Sequence, residues 1–170
     1  AIKNQLMSCG LNRYLPFSTV GQMGATPYLF RSGFNGGIAF AQDCRPPGYP
    51  RDRLAEAIAE AKRLRKYWLG DFHVLSDASL DPAAWCVLQY HRTAEDDGLI
   101  VAFRRHLSPY ASFDCEVRGI DPAAEYTVTE SPGHRPLEAV TLRGDALRRF
   151  RARIDEIPGS LVVEYRRGRR

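Results

Sequence analysis

The segment Tyr28-Leu29-Phe30-Arg31-Ser32-Gly33-Phe34-Asn35 decides how this chain is interpreted, because it leads into a short apolar run and then into a long helix. The apolar run, residues 37–41, carries no charge, which is typical of a strand that is covered on both faces. A candidate strand in residues 11–17, a loop in residues 18–27, the buried run and the helix follow one another along the chain. This order predicts the repeating βα units of a parallel α/β architecture. We therefore predict that the chain begins inside an α/β structure.

The long helix is predicted to begin at Pro50 and to end at Gly70. Proline suits a first helical position, and glycine can close a helix. Asp52 and Glu56 are favourable near the positive end of the helix dipole. Residues at spacings of three and four form one apolar stripe, which consists of Leu54, Ile58, Ala61, Leu64 or Arg65, and Trp68. This pattern indicates a helix that packs through one face.

Three shorter elements are predicted upstream of the deciding segment. Residues 2–9 resemble the end of a helix that Gly10 closes. Residues 11–17 are a candidate for a short strand that stops at Pro16. Residues 18–27 contain two glycines, Gly21 and Gly24, and are predicted to be a loop.

After Asp71 the hydrophobic pattern changes to alternation, which predicts strands. The acidic turn 95–98 between two alternating runs predicts a β-hairpin. Seven short strands with Pro- and Gly-containing turns between them predict an antiparallel sandwich. They span 84–92, 99–105, 112–118, 125–130, 139–143, 149–155 and 160–166. The predicted fold is an α/β remnant in residues 1–75, followed by an all-β antiparallel sandwich in residues 76–170.

Composition excludes several classes of partner. The 170-residue chain is 44% hydrophobic and has a formal net charge of +4. Its basic residues concentrate in the long helix and the C-terminal tail, where a solvated helix face and a chain end explain them. No aromatic residues interleave with the basic tail, so we expect no nucleic-acid partner. No apolar run approaches the ~20 residues that span a bilayer, so we expect no membrane partner.

The cysteines are expected to be buried free thiols. Cys9, Cys44, Cys86 and Cys115 are far apart, with no Cys-x-x-Cys pair and no histidine at ligand spacing, so we expect no metal and no cofactor. Free thiols favour a reducing compartment and hence the cytoplasm. A cysteine–histidine nucleophile, such as Cys86 with His91, is a weaker alternative because nothing positions a third group.

Five segments become recognisable together: Leu15-Pro16-Phe17, Tyr28-Leu29-Phe30-Arg31-Ser32, Tyr67-Trp68-Leu69-Gly70-Asp71-Phe72, 84–89 and 97–104. In this order they resemble the C-terminal part of glycoside hydrolase family 36, the α-galactosidases of melibiase type. The resemblance spans nearly the whole chain. It implies that residues 1–75 supply the last two βα units of a TIM-type (β/α)₈ barrel and that residues 76–170 form the C-terminal β-sandwich.

The resemblance implies that the chemistry lies outside this chain. Members of the family carry two catalytic aspartates after barrel strands four and six, and both would precede Ala1. A retaining glycosidase needs two carboxyl groups about 5–5.5 Å apart, whereas Asp43 is the only carboxylate among residues 1–50. We therefore expect no catalytic residue here and no activity of the chain alone. The implied parent enzyme acts on terminal α-galactosides, and the missing N-terminal barrel portion is the implied protein partner.

Asp43 and Arg31 are the candidate substrate-binding residues. Asp43 follows the predicted strand 37–41, and the carboxyl ends of barrel strands are where barrel sites are built. Its carboxylate could bind a sugar hydroxyl, although an ion pair with Arg31 or Arg45 is the favoured interpretation. Arg31 could likewise contact a sugar or form a salt bridge, and the salt bridge is favoured.

Trp68 and Trp85 could be platforms for sugar stacking, but both lie in apolar patterns that favour packing. We predict that Tyr67 and Trp68 contact the β part of the chain. The alternative function is a stand-alone β-sandwich that binds carbohydrate or protein without catalysis. The buried run 37–41 disfavours this alternative, because its apolar faces need partners from a barrel.

Overall fold

The computed structural model describes residues 1–15, 19–22, 24–35, 37, 39–40 and 42–168. Within these residues the helices are α1 (Ile2–Leu11), α2 (Pro27–Arg31), α3 (Arg51–Leu64) and α4 (Gly144–Arg148), and a 3₁₀-helix (Arg65–Leu69) directly follows α3. The strands are β1 (Gly21–Gln22), β2 (Ala39–Phe40), β3 (Asp71–Val74), β4 (Cys86–Arg92), β5 (Asp97–Arg104), β6 (Ser112–Asp114), β7 (Glu125–Ser131), β8 (Val140–Arg143), β9 (Arg151–Arg153) and β10 (Gly159–Arg167).

The first helix continues through Gly10, the residue predicted to close it, and ends at Leu11. The predicted strand over 11–17 is wrong for its described residues, because Leu11 is helical and residues 12–14 form turns. The backbone N–H groups of Tyr14 and Leu15 both donate to the carbonyl of Leu11, at 3.0 and 2.8 Å. These bonds keep the chain coiled where an extended strand was expected. Pro16 and Phe17 lie outside the described residues.

Two very short strands, β1 and β2, pair in parallel, with Gly21 opposite Ala39. β2 falls inside the predicted strand 37–41, of which Ile38 and Ala41 lie outside the described residues. Helix α2 lies between the two strands along the chain. Its N-terminus is capped by the Thr26 hydroxyl, which accepts from the Leu29 N–H at 3.4 Å, and Pro27 occupies the first turn. The local order is therefore strand, helix, strand, helix.

The amphipathic helix is confirmed as α3 and its 3₁₀ extension. Pro50 immediately precedes the first helical residue, and Gly70 follows the last turn. The apolar stripe faces inward, since Ala61 and Leu64 are fully buried and Trp68 is only 7% exposed. No helix among the described residues is long and apolar enough to cross a membrane.

Six strands form one antiparallel sheet in the order β3–β4–β5–β10–β7–β8. The predicted hairpin is confirmed: β4 and β5 are adjacent and joined by a turn at residues 93–96. Strand β3 lies before the predicted boundary at residue 75, yet it is an edge strand of this sheet and pairs with β4. The segment after the 3₁₀-helix is thus built directly into the β structure.

A second, antiparallel sheet consists of β6 and β9, with Phe113 opposite Ala152. The N–H groups of Cys115 and Val117 extend this pairing to the carbonyls of Phe150 and Arg148, at 2.7 and 2.9 Å. Every one of the seven predicted strand regions contains an observed strand. Because the two antiparallel sheets pack face to face, the predicted β-sandwich is confirmed.

Hydrophobic cores cover both faces of the large sheet. On one face, residues of α1, α2, α3 and the 3₁₀-helix pack against side chains such as Leu88 and Val101. On the other face, β6, β9 and α4 pack against side chains such as Val87 and Ile100. Neighbouring residues face different layers because side chains alternate along a strand. This explains why β5 is buried along its whole length.

Candidate functional site

The loop after β2 carries Asp43, the first candidate site residue. The Tyr49 hydroxyl donates to Gln42 Oε1 at 2.7 Å, and Arg51 Nη2 donates to the carbonyl of Cys44 at 2.9 Å. These bonds tie both sides of Asp43 to the start of α3. The carboxylate therefore sits three residues beyond the carboxyl end of a strand that is paired in parallel.

Asp43 forms an ion pair with Arg45, as the favoured interpretation of the sequence expected. Arg45 Nε donates to Oδ1 at 2.8 Å and Nη2 donates to Oδ2 at 3.0 Å, while the Arg45 backbone N–H also donates to Oδ1 at 3.0 Å. The guanidinium and then the backbone N–H lower the pKa of Asp43. The Asp43 side chain is 52% exposed and that of Arg45 is 90% exposed. The ionised carboxylate is accessible and could exchange this solvent-exposed partner for a ligand hydroxyl.

Arg31, the second candidate, is enclosed in the protein. Its guanidinium and the Glu60 carboxylate form a bidentate pair, with Nη2 to Oε1 at 2.6 Å and Nε to Oε2 at 3.2 Å, and both side chains are 0% exposed. Nη1 donates to the carbonyl and the hydroxyl of Ser160, each at 3.1 Å. Nη2 also donates to the carbonyl of Gly133, and Nη1 donates to that of Pro132 at 3.4 Å. The predicted salt bridge of Arg31 is present, but its partner is Glu60.

His134 completes this buried cluster. Its Nδ1 lies 2.8 Å from Glu60 Oε2, and its Nε2 lies 2.9 Å from the carbonyl oxygen of Ala25. A carboxylate and a carbonyl both accept, so the imidazole ring donates an N–H in at least one of these contacts. The Arg31–Glu60–His134 cluster therefore joins α2, α3, β10 and the turn after β7 by charge-assisted bonds.

The two candidate residues do not form one site, because Arg31 and Asp43 bond different partners in different parts of the structure. Sequence reasoning missed Glu60 and His134. A signal for Glu60 was available, since it lies between Ala57 and Ala61 on the buried side of α3. A carboxylate among buried helix positions indicates a buried partner. His134 had no comparable signal, because it lies in a turn.

The tryptophans are packed as predicted. The rings of Trp68 and Phe34 are 5.8 Å apart in an edge-to-face arrangement, and Trp85 stacks on Phe113 at 5.9 Å. Tyr67 contacts the β part, since its hydroxyl lies 3.5 Å from Glu164 Oε2 and the Arg92 guanidinium lies 5.5 Å from its ring centre. Both tryptophan side chains are thus too buried to serve as exposed stacking platforms.

The cysteines are free, and Cys9, Cys86 and Cys115 are buried. Cys9 Sγ and Cys86 Sγ lie 3.8 Å apart, and this contact together with burial raises the pKa of Cys86. His91 Nδ1 instead lies 3.1 Å from the Tyr165 hydroxyl, so Cys86 and His91 are engaged with different partners. Within the described part of the chain, no three or more His, Cys, Asp or Glu side chains are grouped so that they could hold a metal ion.

Comparison with known proteins gives a likeness in structure. No family model matches the sequence, and no curated protein matches it. An α-galactosidase from Lactobacillus brevis superposes with a TM-score of 0.65 at 12% identity, over 83% of this chain and 20% of that one. A variant of a glycoside hydrolase family 36 α-galactosidase from Geobacillus stearothermophilus, crystallised with raffinose, superposes with a TM-score of 0.62 at 12% identity, over 82% of this chain and 19% of that one. This chain spans about a fifth of the length of these enzymes, and it has the fold of the part that it matches.

Proposed function

We propose that this chain is the C-terminal part of a retaining glycoside hydrolase that acts on terminal α-galactosides. The observation that carries the proposal is the structural likeness of 83% of the chain to a fifth of an α-galactosidase, at a TM-score of 0.65. The sequence resemblance to glycoside hydrolase family 36 supports the same enzyme class independently of the superposition. In this proposal the β-sandwich supports a barrel and the edge of its cleft.

Residues 1–75 would supply the last two βα units of that barrel. The order β1–α2–β2–α3 contains two strands that are each followed by a helix, and the strands pair in parallel. Among the described residues, neither strand has a second partner. Parallel strands occur almost only in larger sheets with both faces covered. A two-stranded parallel pair is therefore well explained as the end of a barrel whose other strands come from the N-terminal side.

Exposed apolar side chains near the end of α1 support the same view. Tyr14 is 83% exposed, Leu69 is 65% exposed and Leu15 is 51% exposed. They border a pocket of about 280 Å³ that Trp68 also lines. The Trp68 Nε1 is buried and has no hydrogen-bond partner among the described residues. A barrel segment packed here would cover the apolar side chains and could supply an acceptor for the indole.

The catalytic pair would lie N-terminal to Ala1, and this chain would contribute binding and support. Asp43 stands past the carboxyl end of β2, where barrel enzymes bind substrate, and its exposed carboxylate could accept a sugar hydroxyl. For Arg31 we propose a supporting role, because its guanidinium is enclosed and bonded to Glu60 and Ser160. It would hold α2, and with it the β1–β2 region, against the sandwich.

The experiment compares residues 1–170 with the full-length polypeptide that contains them, using p-nitrophenyl α-galactoside. The longer polypeptide should release nitrophenol, and residues 1–170 alone should not. Turnover by residues 1–170, or a full-length polypeptide that cleaves no α-galactoside, would overturn the proposal. In the active polypeptide, Asp43→Asn should raise KM, whereas Asp155→Asn, which removes an exposed ion pair of the sandwich with Arg153, should not.

A further inference from the structure

Two basic segments that are about 100 residues apart in sequence meet in one groove. The 3₁₀-helix and the end of α3 form one wall, and β7 and β10 form the other. The groove has a volume of about 320 Å³ and is lined by Arg63, Lys66, Tyr67, Thr127, Thr129, Pro136, Glu164, Tyr165 and Arg166. We name it the basic groove. From the sequence alone, Arg63 and Lys66 were interpreted as part of a solvated helix face, and Arg166 as part of a chain end.

The strand wall of the basic groove is set by register. Arg166 lies opposite Thr127, and Glu164 lies opposite Thr129, in the antiparallel pairing of β10 with β7. Because side chains two residues apart share a face, these four side chains project from the same face of the sheet. This is the face that the helices cover, and it brings Arg166 beside Arg63 and Lys66.

The charges in the basic groove do not cancel. Arg63 forms an ion pair with Glu164, the acid in the lining. Lys66 and Arg166 are exposed, and neither has a carboxylate within ion-pair distance among residues that the structure describes. The Lys66 ammonium lies 4.7 Å from the ring centre of Tyr67. Two positive charges therefore remain uncompensated at the groove.

Hydrogen-bond donors accompany these charges. Arg63 Nη2 is buried and lacks a hydrogen-bond partner in the described structure, with Glu60 Oε1 4.0 Å away. Burial raises the pKa of Tyr67 to about 12, although Arg92, Arg63 and Arg166 each act to lower it. The phenol is thus neutral at physiological pH, and its hydroxyl lies 3.5 Å from Glu164 Oε2, to which it donates, so the Thr127 and Thr129 hydroxyls are the hydroxyl groups left to a ligand in the groove lining.

We propose that the basic groove binds the oxyanion of a small ligand that carries a phosphate or sulfate group. Such a group would be matched by the two uncompensated cations, Lys66 and Arg166, and by the Thr127 and Thr129 hydroxyls. A neutral sugar would leave the charges unpaired. Single-stranded nucleic acid is disfavoured because the Tyr67 ring is only 3% exposed and offers no stacking surface. This inference is independent of the proposed galactosidase activity.

The test titrates residues 1–170 with inorganic phosphate at low ionic strength, by calorimetry and by NMR chemical shifts. Saturable binding is expected, with shifts confined to the basic groove. Lys66→Ala and Arg166→Ala should each weaken phosphate binding by about tenfold, since removing one cation from a cluster costs roughly one charge-assisted contact. Lys62→Ala is the matched control, because Lys62 is an exposed cation in the last turn of α3 and does not line the groove. It should leave the affinity unchanged.

A second arm uses galactose 6-phosphate, sulfate and a short single-stranded oligonucleotide. The sugar phosphate and sulfate should compete with inorganic phosphate. If phosphate binding does not saturate, or if Lys62→Ala weakens it as much as Arg166→Ala does, the basic groove is not a site. Oligonucleotide binding that all three variants weaken equally, without competition by phosphate, would likewise overturn the proposal. Circular dichroism of each variant confirms that the fold is retained.

Discussion

Replacing Glu60 with Gln removes the negative charge that Arg31 and His134 share inside the protein. In the structure the Glu60 carboxylate accepts from Arg31 Nη2 at 2.6 Å and Nε at 3.2 Å, and it lies 2.8 Å from His134 Nδ1. The Arg31 and Glu60 side chains are 0% exposed and that of His134 is 2% exposed. Water cannot replace the lost charge at this position without opening the contact between α2, α3 and the sheet.

The expected cost follows from this burial. Breaking a buried ion pair by removing one partner destabilises a protein by roughly 3–5 kcal/mol, because the remaining charge is left uncompensated. Gln keeps the size of Glu and one acceptor oxygen, so the lower part of this range, about 3 kcal/mol, is expected. For a chain of this size, that loss lowers the melting temperature by roughly 6–12 °C.

The assay is urea and thermal unfolding, followed by far-UV circular dichroism. The matched control is Glu56→Gln, one turn earlier on the same helix. Glu56 pairs with Arg135 at 2.6 Å, but the two side chains are 40% and 82% exposed. Exposed pairs contribute about 0–1 kcal/mol, so Glu56→Gln should hardly move the unfolding midpoint.

Two results would refute this reasoning. Either Glu60→Gln unfolds at the wild-type midpoint, or Glu56→Gln loses as much stability as Glu60→Gln does.

Three other predictions concern packing and pH. Trp68→Ala should destabilise residues 1–170 by about 3–5 kcal/mol in urea unfolding, because it empties a buried site against Phe34; an unchanged midpoint would contradict the packing. Stability should fall from about pH 9 to pH 12, because burial raises the pKa of Cys115 and of Tyr67 to about 12 and the unfolded chain releases these protons earlier. Tyr67→Phe should therefore lose less stability than the wild type when urea midpoints at pH 8 and pH 11 are compared, and equal losses would count against it. Gly144→Ala should cost about 1–3 kcal/mol, because its Cβ would clash with the Asp121 carbonyl, whereas Gly133→Ala meets open space and should melt within a degree or two of the wild type.

The sequence predictions failed at two short elements in the N-terminal part of the chain. The strand predicted over residues 11–17 was wrong, because apolar residues such as Leu11 and Leu15 suit a strand as well as they suit the end of a helix and the turns that follow it. In the structure the Leu11 carbonyl accepts two turn hydrogen bonds instead. Helix α2 went unpredicted, although Thr26 and Pro27 are a cap residue and a first-turn residue that could have indicated it.

The sequence by itself determined the amphipathic helix, the β-hairpin and the series of antiparallel strands. In these elements apolar residues recur at the regular spacing of a helix or a strand, so the residues of one short segment are enough to predict it. Only the tertiary structure decided that Arg31 pairs with Glu60 and His134, and that Lys66 and Arg166 face one groove. Electrostatic partners are chosen by distance in space, and strand register and helix packing set that distance between segments that are remote in sequence.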